Sequence, residues 1–316
     1  MSPTTVAVDL GGTNTRAALF DDNRPRPTRQ KKVPTQADQG PDAVIERIIE
    51  AIESVLPESA ADLRIGVGAP GPLDPREGVV FEAPNLPGWD HVPLQHELHA
   101  HFDCPVHIGN DANLAALGEW RHGAGRGTQN LIYLTISTGV GGGIISDGRL
   151  LLGARGLGAE LGHILVEPGG PLCGCGRRGH LEAVASGTAI ARTAIERLEA
   201  GDDSSLRAIH DQTQLTAEHV GDAARKSDPL AMEVIQEAAS YLGRALADFT
   251  HIFNPEIFVL GGGVSQLGPL LFEPVEAELR DSIMSPTYLE GLRIEPAALG
   301  DDAGLVGAMV LASEQG

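Results

Sequence analysis

Lysine, cysteine and long apolar runs are all scarce in this chain of 316 residues, and each scarcity excludes something. Only Lys31, Lys32 and Lys226 carry an ammonium group; the other cations are arginines, and 23 basic residues face 43 acidic ones for a net charge of −20. A surface that acidic repels nucleic acid and anionic membranes, and it is compatible with a salty cytoplasm. Three cysteines cannot supply a disulfide framework. The longest uncharged stretch, Gly127–Ser146, contains five glycines and does not read as a membrane helix. Asp9 falls where a secretory signal would have its apolar run, so a cytoplasmic location is expected. What remains is a globular composition, 42% hydrophobic and 21% charged, long enough for two packed domains. The 40 glycines gather in a few loops where backbone must approach something closely.

Two of the three cysteines fall together. Glu160-Leu-Gly-His163 is followed by Cys173-Gly-Cys175-Gly and then Gly179-His180-Leu-Glu182. His163, Cys173, Cys175 and His180 offer two nitrogens and two sulfurs within 18 residues, the ligand set of a closed tetrahedral zinc site. Four protein ligands leave no position for a catalytic water, so the metal would be structural. It would shape a loop presenting Glu160 and Glu182. The plainer alternative is a glycine-rich turn with two buried thiols and two solvated histidines. Cys104 stands alone.

Along the chain, strand-like and helix-like segments alternate, which indicates an α/β architecture. Thr5–Leu10 and Ala17–Phe20 read as strands joined by Gly11-Gly12-Thr13-Asn14. Arg24–Lys32 reads as a solvated hairpin edge, and Pro41 opens a helix with Val44, Ile45, Ile48, Ile49, Ile52 and Val55 at helical spacing. Leu63–Val67 and Val106–Gly109 are strands, the second ending in Asn110-Asp111 where a helix begins. Asn130–Ser137, a turn Thr138–Gly143 and Ile144–Ser146 repeat the design of Val6–Phe20, a weak internal duplication. Helices are expected over 186–200, 216–225, 229–252 and 303–312, with a strand at Glu256–Leu260 running into Gly261-Gly262-Gly263.

Gly66-Val-Gly68-Ala-Pro-Gly71 has the spacing of a dinucleotide fingerprint, but Pro70, Pro72 and Pro75 forbid the helix that must follow. Asp9-Leu-Gly-Gly-Thr13-Asn14-Thr15-Arg16 is more specific. A carboxylate at a buried strand end, followed by glycines and hydroxyls, can hold hydrated Mg²⁺ beside amides that face phosphate. Ser137–Gly143 offers similar amides without the acid, so two such turns could grip a polyphosphate from both sides. Gly261–Gly263 fits an adenine or ribose contact. Asn110-Asp111 has two readings: a helix cap, or a general base accepting the proton of an attacking hydroxyl in phosphoryl transfer.

These segments, together with Gly68–Asp74, Asn110–Glu119, Gly158–His163 and Ala83-Pro-Asn85-Leu-Pro-Gly-Trp89, closely resemble the ROK sugar kinases over nearly the whole chain, and within them the bacterial glucokinases. The resemblance implies an actin-like ATPase (ribonuclease H-like) fold. Its small lobe would comprise residues 1–115 plus about 302–316, its large lobe 116–301, and the two would close over a cleft. It implies ATP-dependent hexose phosphorylation, Mg²⁺ and structural Zn²⁺, and a homo-oligomer, dimer or tetramer. Asp111 is similar to the family's catalytic base. Gly71, Asn85, Asn110, Asp111, Glu160, His163 and Glu182 match sugar-binding positions. Asp9, Gly11, Gly12, Thr13, Asn14, Thr138, Gly139, Gly261, Gly262 and Gly263 match the nucleotide side. The zinc set departs at one place, where the usual third cysteine is His180. Fructokinase and N-acylhexosamine kinase share the same carboxylates and stay open as alternatives. The family's repressor branch needs a DNA-binding segment for which the motif at Asp9 leaves no room.

Overall fold

The computed structural model describes residues 3–21, 24–60, 62–83 and 85–314. Pro84 of the Ala83–Trp89 segment and the outermost ends of the expected small lobe, 1–2 and 315–316, lie outside the described residues. In the first half, β1 (Thr4–Leu10), β2 (Asn14–Phe20), β3 (Arg29–Pro34), α1 (Pro41–Val55) and β4 (Leu63–Ala69) lead to a small sheet of β5 (Leu73–Asp74), β6 (Val79–Glu82) and β7 (Asp90–Val92). Then come α2 (Leu94–Phe102), β8 (Val106–Asn110) and α3 (Asp111–His122). The second half holds β9 (Leu131–Ile136), β10 (Val140–Ser146), β11 (Arg149–Leu150), α4 (Leu181–Ala185), α5 (Gly187–Glu199), α6 (Arg207–His210) and α7 (Ala217–Arg225). It ends with α8 (Pro229–Phe253), β12 (Ile257–Gly261), α9 (Pro269–Ser282), β13 (Arg293–Pro296) and α10 (Ala303–Glu314).

The two large sheets have one design. Their orders are β3-β2-β1-β4-β8 and β11-β10-β9-β12-β13, each an antiparallel meander of three strands continued by parallel ones. The duplication suspected from Val6–Phe20 and Tyr133–Ser146 therefore extends to both whole sheets. Because side chains alternate along a strand, each sheet buries two faces. Val6, Val8 and Leu10 pack outward with α1 and α2, while Ala7 faces inward. In the second sheet Ile132, Leu134, Phe258 and Leu260 pack outward beneath α8 and α9, while Leu131, Tyr133, Ile257 and Val259 face inward. Between the inner faces lies a layer of two helices, α3 and α10. The expected lobe boundary at 115/116 falls within α3.

α10 has apolar residues on all sides, as a helix buried from every direction must. It fits because its neighbours lack side chains. A methyl group on Gly66 of β4 would lie 1.9 Å from the Ala308 carbonyl oxygen, and one on Gly307 would lie 1.7 Å from that of Leu114. Gly66, part of the discarded dinucleotide pattern, thus serves packing, and the chain beyond β4 turns through Gly71 at φ +83° into β5 rather than into a helix.

Gly307→Ala should destabilise the protein by about 1–3 kcal/mol through overpacking, read as a lowered Tm. Gly304→Ala in the same helix, whose methyl would meet nothing nearer than the Asp111 carbonyl oxygen at 3.9 Å, should leave Tm unchanged or raise it. Equal losses in both variants would show that the close approach at Gly307 does not set the cost.

Candidate functional site

The parallel strands β1, β4 and β8 end at the same edge of their sheet, and ligands of open α/β sheets bind beyond such carboxyl ends. β8 passes directly into α3. Asn110, the cap, accepts from the amides of Ala112 (3.0 Å) and Asn113 (3.3 Å), and its Nδ2 donates to the Gly71 carbonyl (3.3 Å). The capping reading of Asn110 therefore describes its bonds, and the same side chain fixes the Gly71 turn beside Asp111.

Asp111 is the first residue of α3, its Oδ1 accepting from the Ala112 amide at 2.7 Å. Water reaches the carboxylate from the open cleft, yet protein surrounds it on the other sides. That enclosure, reinforced by the charges of Asp9 and Glu160 and opposed by the backbone donors, pushes its pKa up to about 6. A carboxylate so tuned is ionised at neutral pH and still basic enough to take a proton.

Asp9 is the penultimate residue of β1, on the side that faces α10. Its Oδ2 accepts from Arg16 Nε (3.1 Å) and Nη2 (2.8 Å), which leaves Oδ1 for another partner. Arg16 also reaches Asp302 Oδ1 (2.9 Å) and the Asp301 carbonyl just before α10, and the carboxylates hold its pKa above the ordinary value despite burial. The turn Gly11–Asn14 closes by the Gly11 amide on the Asn14 carbonyl (3.0 Å). Thr35, fully buried, donates to the Gly11 carbonyl (2.6 Å) and meets the Thr15 hydroxyl (3.0 Å). Asn85 packs on Gly12, where a Cβ would lie 2.8 Å from its own Cβ. Thr13 is exposed at the tip.

The second turn approaches from the other sheet. A methyl on Gly141 would touch Ala112 at 3.1 Å, so β10 begins alongside the head of α3. Thr138 is exposed, its carbonyl accepting from the Thr188 hydroxyl (2.8 Å), and the Ser137 carbonyl accepts from the Gly187 amide (2.7 Å). Glu182 reaches into this turn: Oε2 accepts from the Val140 amide (3.1 Å) and Oε1 from the Cys173 thiol (3.3 Å), in space that a side chain at Gly139 would fill. Glu182 thereby joins the turn to the cysteine cluster.

In that cluster the donor atoms of His163, Cys173, Cys175 and His180 all lie within 4.8 Å of one another. Tetrahedral zinc at ordinary bond lengths would separate its sulfur and nitrogen ligands by about 3.6 Å. Cys173 Sγ stands 3.7 Å from His163 Nδ1 and Cys175 Sγ 3.2 Å from His180 Nδ1, so the donor set fits zinc. Burial, then the neighbouring Cys175 and Glu182, push the Cys173 thiol up to about 12, so its ionisation near neutrality calls for a cation. His180 occupies the departing position with the same ring nitrogen turned inward as His163. Glu160 is exposed just before the short helix Leu161–His163, on the Asp111 side of the loop.

Beyond the second turn opens a cavity of about 800 Å³ between α5, α7 and the chain after β12, with Ser137 and Thr138 at one end. Of the three expected glycines only Gly263 lines it. Gly261 is buried as the last residue of β12, and Gly262, at φ +83°, lies against the Ile136 backbone. Most of the wall comes from residues that the sequence did not single out, among them Thr188, Arg192, Thr216, Gly221, Arg225 and Leu267. Thr188 and Thr216 sit at helix starts, a faint signal shared with every capped helix.

Known proteins match this arrangement along the whole chain. A glucokinase of Thermotoga maritima is 40% identical over 311 residues, covering 98% of this chain and 97% of its own. An N-acetylmannosamine kinase of Citrobacter koseri is 35% identical over 310 residues, covering 98% of both. Among solved structures, a ROK family glucokinase from Streptomyces griseus in complex with glucose and AMPPNP superposes with a TM-score of 0.83 at 36% identity, covering 99% of this chain and all of that one. The duplicated mixed sheets on either side of α3 and α10 are the expected actin-like ATPase fold. The ROK family model matches residues 5–315, and the chain belongs to the ROK family.

Proposed function

We propose that this protein is a hexose kinase that transfers the terminal phosphoryl group of ATP to the 6-hydroxyl of glucose. The observation that carries the reading is the position of Asp111. It heads α3 beside the two glycine turns, with Glu160 near enough to raise its pKa. The complex of the Streptomyces griseus relative with glucose and AMPPNP supports both substrates. The Asp111 carboxylate accepts the hydroxyl proton as the sugar oxygen bonds to phosphorus and the bond to ADP breaks. Positioning and electrostatics supply most of the catalysis in such a transfer. Asp9 would hold hydrated Mg²⁺, which neutralises charge on the phosphates. The two turns, with Gly11, Gly12, Thr13 and Asn14 in one and Thr138 and Gly139 in the other, would line the phosphates, and the 800 Å³ cavity lined by Gly263 would take the nucleoside. Asn85, Gly71, Asn110, Glu160, His163 and Glu182 would surround the sugar. Zinc on His163 Nδ1 would leave Nε2–H as a donor of fixed direction. The cleft would separate the lobes 1–115 plus 302–316 and 116–301.

The similarity to an N-acetylmannosamine kinase favours N-acylhexosamine as the second reading. A coupled assay over glucose, fructose and N-acetylmannosamine decides: glucose should give the highest kcat/KM, and preference for the acetamido sugar would move the assignment.

Asp111→Asn keeps the helix start but cannot accept a proton, and should lower kcat at least ~10²-fold with sugar affinity largely kept. Wild-type turnover would exclude Asp111 as the base. Because the base must be ionised, kcat/KM in the wild type should fall about tenfold per pH unit below a pKa of about 6, and this acid limb should vanish from the residual activity of Asp111→Asn.

Purified protein should hold one zinc per chain, measured by elemental analysis. His180→Ala should loosen it and raise KM for the sugar more than for ATP, whereas His180→Cys should keep it. A zinc-free protein in which His180→Ala behaves as wild type would reduce His180 to a loop residue.

A further inference from the structure

Glu160 joins a short excursion to a segment held firmly in the large lobe, where Leu161 is buried in the core and Gly162 lies against the Val140 backbone. After β11 the chain makes a closed excursion from Leu152 to Gly158, joined at its base by the Gly158 amide on the Leu152 carbonyl (3.0 Å). Gly153 and Gly156 have φ of +71° and +78°, and Ala159 reaches +67° just before Glu160. This excursion, on the N-terminal side of Glu160, takes a further hold.

The hold comes from the other lobe. Arg76, in the turn between β5 and β6, donates from Nη1 to the Ala154 carbonyl (2.7 Å) and from Nη2 to the Gly153 carbonyl (3.2 Å). Its own turn is closed by hydrogen bonds. Buried Asp74 accepts from the amides of Arg76 (2.8 Å) and Glu77 (3.3 Å), and Gly78 N–H returns to the Asp74 carbonyl (2.9 Å). Gly156 presses on the same turn, for a methyl there would meet Pro75 Cδ at 2.2 Å and the Leu73 carbonyl at 3.1 Å. Leu73 and Val80 belong to the core beneath α1 and α2, whereas Leu151 and Ala159, at the two ends of the excursion, pack on the core of the second sheet. The contact therefore crosses between the lobes on the sugar side.

We propose that Arg76 is a positioning residue for the sugar site: from the small lobe its guanidinium grips the Gly153–Ala154 carbonyls and sets the distance of Glu160 from Asp111. The inference rests on the hexose kinase reading for its substrate, not for its mechanics. One planar fork serves two adjacent carbonyls, a geometry that a lysine ammonium cannot reproduce in full. The bonds span the cleft, so they assemble the Glu160 loop only when the lobes stand as close as they do here.

The test compares wild type, Arg76→Met and Arg76→Lys in steady-state kinetics and in hydrogen exchange of the peptide covering 151–165. Arg76→Met should raise KM for the sugar about tenfold, the size of a lost charge-assisted bond. Its kcat, KM for ATP and zinc content should stay near wild type, and exchange at the 158–163 amides should speed up. Arg76→Lys should recover part of both effects. An unchanged sugar KM overturns the proposal, as does a raised KM with unaltered exchange, since Arg76 would then act on the sugar itself. Equal losses in kcat and in both KM values overturn it too, by exposing a general structural role. Should wild type phosphorylate no hexose, the functional reading fails, while the exchange difference alone still tests the hold.

Discussion

Three absent methyl groups set the spacing of the molecule. At Gly66, Gly118 and Gly307 the backbones of β4, α3 and α10 come so close that a Cβ would lie within 2.4 Å of a carbonyl oxygen. This crowding makes α3 and α10 a thin rigid layer with a sheet on either side. Side-chain-filled helices would sit about 8–10 Å apart and would separate the carboxyl ends of β1 and β8 from the turn before β10. The closeness of Gly141 to Ala112, and with it the approach of the second turn to Asp111, follows from that layer.

The electrostatics of the cleft follow from its shape. Asp9, Asp111, Glu160 and Glu182 gather in a protein already at −20, and among them Asp111 is raised in pKa while Asp9 is held by Arg16. The arrangement is incomplete as a set of bare charges. Cations beside Asp9 and within the His163–Cys173–Cys175–His180 cluster would offset it. The buried Glu119 shows the other solution. Its carboxylate accepts from the amides of Ala124, Ala298 and Leu299, binding the end of α3 to the segment that leads into α10.

How much of this was readable from the sequence depended on distance along the chain. The turn after Asp9 and the cysteine cluster are local, so residue types at short spacing disclosed them. The duplicated sheets showed through one matching pair of hairpins. By contrast, the large cavity is assembled from α5, α7 and the chain after β12, each an ordinary capped or amphipathic segment on its own. Thr35 meets Gly11 of its turn from 24 residues away and Arg76 its loop from 78, with no pattern to announce either. Among the elements, α9 escaped detection with Pro274 in its interior, where proline argues against a helix. Gly261 and Gly262 carry the converse ambiguity, since a glycine run after a strand marks close backbone packing as readily as a ligand contact.

The edge strand β3 gives the scarce lysines a place. It is the outermost strand of the first sheet, six residues long and mostly exposed, and it carries Arg29, Lys31 and Lys32. An unpaired strand edge invites another chain to add on, and charge along it is a common deterrent. In a protein whose surface is otherwise strongly acidic, two of its three lysines stand side by side on that edge. The second sheet guards its corresponding edge differently, with β11 cut to two residues. The duplicated halves thus resist aggregation by separate means, one by cationic charge and the other by brevity.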